Sequence, residues 1–338
     1  MSVKAAILGY GRNGSTMHAD AMERHPEIEV VAVCDIDPAR RQQAADRFGC
    51  QVFEDYQEML AKTKLDLVTI VTRSDQHCQM TCDCLQAGAN VLVTKPWALN
   101  TAEANMMVQS ARESGTTLYP WLPSRWGTWL RRLKTLLDEK VVGDVFLVRR
   151  INSSFGTRSD WQTEKRYGGG YLLNWGPHIV DPPLVLMGQK VTSAFGCLRQ
   201  VINPGDVEDM FMAVLTLENG CLVQAEHTVA TGSLPDWVIQ GTCGTIIVRN
   251  RELTIHQGKI PEPEDPTKYL SMAAGGAKVI TEEVTGQLYG SEDEVYADLV
   301  AALQKKEPFP VSDDDALYLT EVLDAIRQSS ETNKVVQL

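Results

Sequence analysis

The chain has 338 residues, about twice the size of a usual domain, and 43% of them are hydrophobic. Two domains with full cores are therefore expected. The formal net charge of -12 argues against a surface that wraps nucleic acid or lies on an anionic membrane, while a locally basic pocket stays open. No apolar run reaches the roughly 20 residues of a membrane span.

The chain opens as "MSVKAAILGYGRNG", a strand running into a glycine turn. It lacks the layout of a signal peptide. Eight cysteines, at 34, 50, 78, 82, 84, 197, 221 and 243, read as free thiols of a reducing, cytoplasmic setting. Cys78, Cys82 and Cys84 lie close to His77, but their spacing fits no common zinc finger. They read as small buried hydrophobes, and no metal is expected.

From the N-terminus, "VKAAILGYG", "IEVVAVCD", "LDLVTIVT", "NVLVTKP" and "TLYP" are short apolar runs. They alternate with the helical stretches "GRNGSTMHADAMER", "PARRQQAADRFG", "DQHCQMTCDCLQAG" and "TAEANMMVQSARESG". Such alternation predicts a parallel sheet with helices on both faces. The first turn reads Gly9-Tyr10-Gly11-Arg12-Asn13-Gly14, and Asp35 ends the next strand. This is the arrangement for a dinucleotide. Gly9 permits the tight turn, Gly11 the approach of pyrophosphate, and Gly14 close packing of helix on strand. The helix N-terminus faces the phosphates. Asp35 would accept from the ribose hydroxyls and repel a 2′-phosphate. That favours NAD over NADP, although Arg40 and Arg41 nearby weaken the preference.

Past Pro120 the pattern changes. "RWGTWLRRLKTLLDEKVVG" reads as one helix ended by Gly143. Strand-like runs follow: "DVFLVRRINSSF", "KVTSAFGCLRQV", "EDMFMAVLTLENG", "CLVQAEHTVA", "DWVIQGTCG" and "TIIVRNRELTIH". Asn219-Gly220 predicts a two-residue hairpin turn, and the succession predicts an antiparallel sheet. "PEPEDPTKYLSMAAGGA" reads as irregular, and two helices start near Glu292 and Asp313. A Rossmann domain over 1–122 and a second α/β domain over 123–338 are expected. The second domain's large, open, mostly antiparallel sheet has one face that helices do not obviously cover. That points to a homodimer or homotetramer.

"GGGYLLNWGPHIVD" sets Asn174 four residues before His178, neighbours on one helix face. Pro177 requires that this helix start near Asn174 or be kinked.

The glycine turn, "AGANVLVTKP", "RWGTWLRRLKTLLDEKVVGDV" and "GGGYLLNWGPHIVD", in this order, resemble the glucose–fructose oxidoreductase/inositol dehydrogenase/MocA family over nearly the whole chain. The resemblance implies a nicotinamide-dependent oxidoreductase acting on sugars, cyclitols or related polyols. It adds Arg12, Asn13, Arg40, Thr72, His77, Thr94, Lys95 and Pro96 to the cofactor site. It carries the catalytic lysine and histidine onto Lys95 and His178. Two positions depart from the family pattern. Thr94 stands in place of a glutamate, and Asn174 in place of an aspartate. The family also places substrate contacts near Trp121, Arg125, Trp161 and Lys165. Asp181 would orient His178 or form a structural hydrogen bond.

Oxidising a secondary alcohol needs a base at its hydroxyl. Lys95 qualifies if its pKa falls towards neutrality, and His178 titrates in range unaided. Asn174 orients the substrate but takes no proton. Two other readings stay open. One is an NAD-retaining glycosidase or epimerase working by transient oxidation. The other is a dinucleotide-binding protein without turnover, which Thr94 and Asn174 keep in view.

Overall fold

The computed structural model describes residues 2–258, 267 and 278–338. Six parallel strands form the first sheet: β1 (Val3–Leu8), β2 (Ile28–Cys34), β3 (Gln51–Phe53), β4 (Leu67–Ile70), β5 (Asn90–Val93) and β6 (Leu118–Pro120). Their spatial order is 3-2-1-4-5-6, so the order reverses beside β1, where ligands bind in such folds. Helices α1 (Ala19–Arg24), α2 (Pro38–Phe48), α3 (Tyr56–Lys62), α4 (His77–Gln86) and α5 (Thr101–Ser114) connect them. Apart from the exposed Lys4, β1 and β4 are buried on both faces, as their mostly apolar sequences require. Cys78 and Cys84 are buried in this half.

The segment after Pro120 departs from the expected single helix. A short turn over Pro123–Trp126 precedes α6 (Thr128–Asp138). Gly127 divides the two, pressed so close to the Leu288 carbonyl that a Cβ would lie 2.3 Å from it.

The second sheet has nine strands: β7 (Val145–Ser154), β8 (Val191–Arg199), β9 (Met210–Leu217), β10 (Leu222–Val229), β11 (Trp237–Gly241), β12 (Gly244–Arg249), β13 (Glu252–Gln257), β14 (Lys278–Glu283) and β15 (Val336–Gln337). Their order is 14-13-12-11-7-10-9-8-15. The sheet is mostly antiparallel, but β7 and β10 pair in parallel at its centre. The chain reaches β10 from β7 only after passing through two helices and two other strands, a crossover that tight turns alone did not suggest.

The run "TIIVRNRELTIH" is two strands rather than one. Asn250, at φ 52°, turns the chain between Arg249 and Glu252. The Asn219-Gly220 hairpin exists, with a three-residue loop in place of two. Leu217 N–H bonds Cys221 O across it, and only Gly220, at φ 81°, is left-handed. The stretch "PEPEDPTKYLSMAAGGA" lies, apart from Thr267, outside the described residues.

One sheet face packs under α7 (Tyr171–Ile179), α8 (Asp181–Met187) and α10 (Asp313–Thr332). Along β9, Phe211, Ala213, Leu215 and Leu217 turn to that core, while Met212, Val214 and Thr216 stay half-exposed on the other face. The last helices, α9 (Glu292–Leu303) and α10, return to the first domain. Trp97 donates to Thr320, Thr101 to Asp324, and Arg24 pairs with Asp293. Among the described residues no helix is long and apolar enough to cross a membrane.

Candidate active site

A cleft of about 1240 Å³ runs from the glycine turn across the ends of the first sheet to α7. Its near end is set by three glycines with different constraints. Gly9 is at φ 89°, and a Cβ on it would lie 2.7 Å from the Val71 carbonyl. A Cβ on Gly14 would sit 2.0 Å from the Gly9 carbonyl. Both are demanded by the protein itself. At Gly11 only the tip of the Arg40 guanidinium would be in the way. Its missing side chain leaves open a backbone surface on the cleft, as a pyrophosphate requires.

Arg12 and Asn13 line this end. Asp35 lines it too, but its carboxylate is already engaged. One oxygen accepts from Tyr10 N–H at 2.7 Å and the other from Asp37 N–H at 2.9 Å. Each oxygen keeps a further lone pair for a hydroxyl. Arg40 reaches the cleft, whereas Arg41 is tied to the Asp35 and Ile36 carbonyls and to Glu54.

The middle of the cleft is lined by Thr72, His77, Thr94 and Pro96. The Thr94 hydroxyl bonds Ile70 O, and that of Thr72 the sulfur of Met80, which also lines the cleft. His77 ties two loops together. Pro96 O lies 2.7 Å from Nδ1 and Thr72 O 3.2 Å from Nε2; burial holds the pKa below the ordinary imidazole value, and the neutral ring has one N–H to give to either carbonyl. The Lys95–Pro96 bond is cis.

At the far end Lys95 and α7 meet. Lys95 Nζ donates to Asn174 Oδ1 at 2.6 Å and to the Asn174 carbonyl at 3.0 Å. Burial first, and the Arg158 charge second, push its pKa down to about 8. His178 lies one turn from Asn174 on the same helix, and both line the cleft. Its Nδ1 meets the Ser124 hydroxyl at 2.6 Å. Burial, then repulsion from Lys95 and Arg150, holds it well below the usual imidazole range.

Helix α7 begins at Tyr171, three residues before Asn174, and carries Pro177 within it, so of the two expectations the start near Asn174 does not hold. Glu208 helps this start. It accepts from Leu172 N–H at 2.9 Å, and its own carbonyl accepts from Tyr171 N–H, a carboxylate at the positive end of the helix. The glycine run fits the same crowding. Gly168 (φ 70°) packs on Leu99 and Ser74 of the first domain, and a Cβ on Gly170 (φ 107°) would strike the Glu208 carboxylate.

Two expected substrate contacts lie elsewhere. Arg125 does not line the cleft. It is paired with Asp181 through two hydrogen bonds, at 2.8 and 3.0 Å, and with Asp315 at 3.1 Å. That pairing also takes Asp181 away from His178. Lys165 is exposed on a short turn over 165–167 and also lies outside the cleft lining. Trp161 lines the cleft, and Trp121 forms part of its wall, packed on His18 with ring centroids 4.6 Å apart. Ser124 and Glu208 were missed from the sequence, as was Gln162, which lines the cleft beside Trp161. Each acts on a partner far along the chain or from an unremarkable loop, and no local motif marks it. Among the described residues no group of three His, Cys, Asp or Glu is placed to hold a metal ion.

Sequence profiles of one oxidoreductase family match both halves of the chain. The NAD-binding Rossmann-fold profile covers residues 3–120, and the C-terminal alpha/beta profile covers 134–338. The chain belongs to the Gfo/Idh/MocA oxidoreductase family.

It is 23% identical over 353 aligned positions to scyllo-inositol 2-dehydrogenase (NADP(+)) of Bacillus subtilis, spanning 100% of this chain and 96% of that protein. It is 28% identical to D-glucoside 3-dehydrogenase of Escherichia coli, over 68% of this chain and 70% of that one. The structure of an NAD-binding protein from Listeria innocua superposes with a TM-score of 0.86 at 26% identity, covering 100% and 97% of the two chains. The WlbA dehydrogenase of Bordetella pertussis, solved with NADH and UDP-GlcNAcA, shares the fold with a TM-score of 0.83 at 22% identity, covering 100% and 99%. This family member is an oxidoreductase of the kind that acts on CH–OH groups.

Proposed function

We propose that the protein is an NAD(H)-dependent dehydrogenase or reductase of a secondary alcohol or ketone on a sugar, cyclitol or related polyol. The observation that carries this reading is Lys95, a buried amine on the cleft with its pKa pushed down to about 8. A neutral amine has two N–H bonds and one lone pair. Asn174 offers two acceptors, its carbonyl and its Oδ1. The lone pair is then free to take a hydroxyl proton from a substrate seated beside it. Among the described residues no carboxylate bonds to Nζ, so none of them holds the ammonium form in place.

The chain fits a dinucleotide. Gly11 leaves its stretch of backbone open, Arg12 and Asn13 flank it, and Asp35 keeps lone pairs for ribose hydroxyls. A bound nicotinamide supplies the hydride acceptor. Asp35 argues for NAD. Arg40, beside Gly11, gives a 2′-phosphate some compensation, so the preference for NAD is one of degree. Trp161 offers an apolar platform for a sugar ring.

The open face of the second sheet supports a homodimer or homotetramer, with Phe195 and Leu222 exposed on it and Met212 and Val214 half-exposed.

The test is a panel of sugars, cyclitols and polyols with NAD and with NADP, followed by absorbance of the reduced cofactor. Reduced nicotinamide should appear with at least one such substrate, faster with NAD. Converted substrate without net NADH, or cofactor binding with no turnover across the panel, overturns the reading.

A further inference from the structure

The proposed function leaves two groups facing one hydroxyl, Lys95 and His178. We infer that Ser124 fixes His178 as the neutral tautomer with its proton on Nε2, so that His178 donates a hydrogen bond to the substrate oxygen and Lys95 alone takes the proton. This rests on the reading of the cleft as a dehydrogenase site.

Ser124 sits in the buried turn before α6, and its Oγ lies 2.6 Å from His178 Nδ1. Among the described residues that hydroxyl has no other hydrogen-bond partner. A serine hydroxyl carries one proton. If Nδ1–H donated to Oγ, the hydroxyl proton would have no acceptor among the described residues, leaving a buried donor unpaired. If Oγ–H donates to Nδ1, both groups are satisfied. The imidazole proton then sits on Nε2, the ring nitrogen left for the cleft that His178 lines.

The surroundings of the ring agree. Lys95 at the end of β5 and Arg150 on β7 are the charged groups that act on it. Tyr289 and Trp175 present rings to it, with centroids 5.8 Å away in each case. Asp181, three residues along, is held by Arg125. With cations on two sides and no carboxylate on Nδ1, an imidazolium is disfavoured. A group that will not hold a proton is a poor base, but its Nε2–H is well suited to an oxygen gaining negative charge.

The step balances. The substrate O–H proton passes to the lone pair of Lys95 Nζ. The O–H bonding pair becomes the second carbonyl bond as the hydride leaves carbon, for which a nicotinamide bound in the cleft would be the acceptor. His178 donates throughout and keeps its proton.

The direct test is nitrogen NMR of protein labelled with 15N-histidine, without substrate, with His178→Gln to assign the signal among six histidines. His178 should remain neutral with its proton on Nε2 between about pH 5 and 8, where an ordinary imidazole titrates. A proton on Nδ1, or an imidazolium within that range, overturns the inference. This readout needs no turnover, so a polyol panel that fails would sink the functional reading while leaving the tautomer decided.

Kinetics give the second arm. Ser124→Ala should lower kcat about tenfold, the scale of one lost hydrogen bond, with NADH affinity unchanged, and Ser124→Thr should restore it. Ser124→Asp places an acceptor on Nδ1 and moves the imidazole proton there. It should be slower than Ser124→Ala. An Asp variant faster than the Ala variant would mean that His178 is the base, and a Thr variant no better than Ala would overturn the role given to the Ser124 hydroxyl.

Discussion

Both ends of the cleft rest on glycines, yet they are built in opposite ways. At the cofactor end, Gly9, Gly11, Gly14 and Asp35 lie within 27 residues. Gly14 is forced by the Gly9 carbonyl within the turn itself, and Gly9 by the Val71 carbonyl just past the neighbouring strand β4. At the catalytic end, Gly168 and Gly170 are shaped by Leu99, Ser74 and Glu208, and α7 delivers Asn174 and His178 to Lys95 and Ser124, 79 and 54 positions away. The first end is a local motif that needs its sheet only for support. The second exists only once the two domains have packed. Mutations at the first should therefore separate folding from cofactor binding, and mutations at the second should separate chemistry from both.

The largest effect is expected at Lys95. Lys95→Ala should reduce kcat by about 10²- to 10⁴-fold, the usual worth of a general acid–base group. NADH affinity, read by fluorescence titration, should hold. Near-normal turnover would remove Lys95 from the reaction and dissolve the contrast between the two ends.

Next comes the ion pair behind the catalytic corner. Asp181 is almost fully buried against Arg125. Asp181→Asn strands a buried guanidinium, which costs about 3 kcal/mol, the low end of the range because Arg125 keeps Asp315. Thermal denaturation should show the drop. An unchanged melting temperature, with altered KM for substrate, would return Arg125 to the substrate site where the sequence placed it.

At the cofactor end a pair of alanines sharpens the difference. Gly14→Ala drives a Cβ into the Gly9 carbonyl and should cost at least about 1–3 kcal/mol of stability. Gly11→Ala meets only the flexible end of Arg40. It should stay within about 0.5 kcal/mol of the parent while weakening NADH binding. Equal melting temperatures for the two variants would refute the division into a fold glycine and a ligand glycine.

The smallest effect is a shift of a pH profile. With Asn174, Lys95 sheds its proton near pH 8, so oxidation should speed up as pH rises through that value. An aspartate at 174 would face the ammonium at the 2.6 Å contact and favour the charged form. Asn174→Asp should therefore move that limb upward by about one unit, with little change in NADH affinity. An active variant with an unmoved limb would show that position 174 is not coupled to the proton transfer.

The sequence by itself determined the alternation of strands and helices in the first half, the dinucleotide turn, and the four-residue pairing of Asn174 with His178. These are set by neighbours in the chain, through periodicity, turn chemistry and helix geometry. Tertiary structure decided the rest. It put the parallel pair β7–β10 inside a sheet that reads as antiparallel. It started α7 at Tyr171, ahead of its proline, with Glu208 on the opening N–H groups. It paired Arg125 with Asp181, and it brought Ser124 to His178. Each of these joins residues far apart in sequence, and a buried charge or hydrogen-bonding group takes whichever partner packing brings within reach.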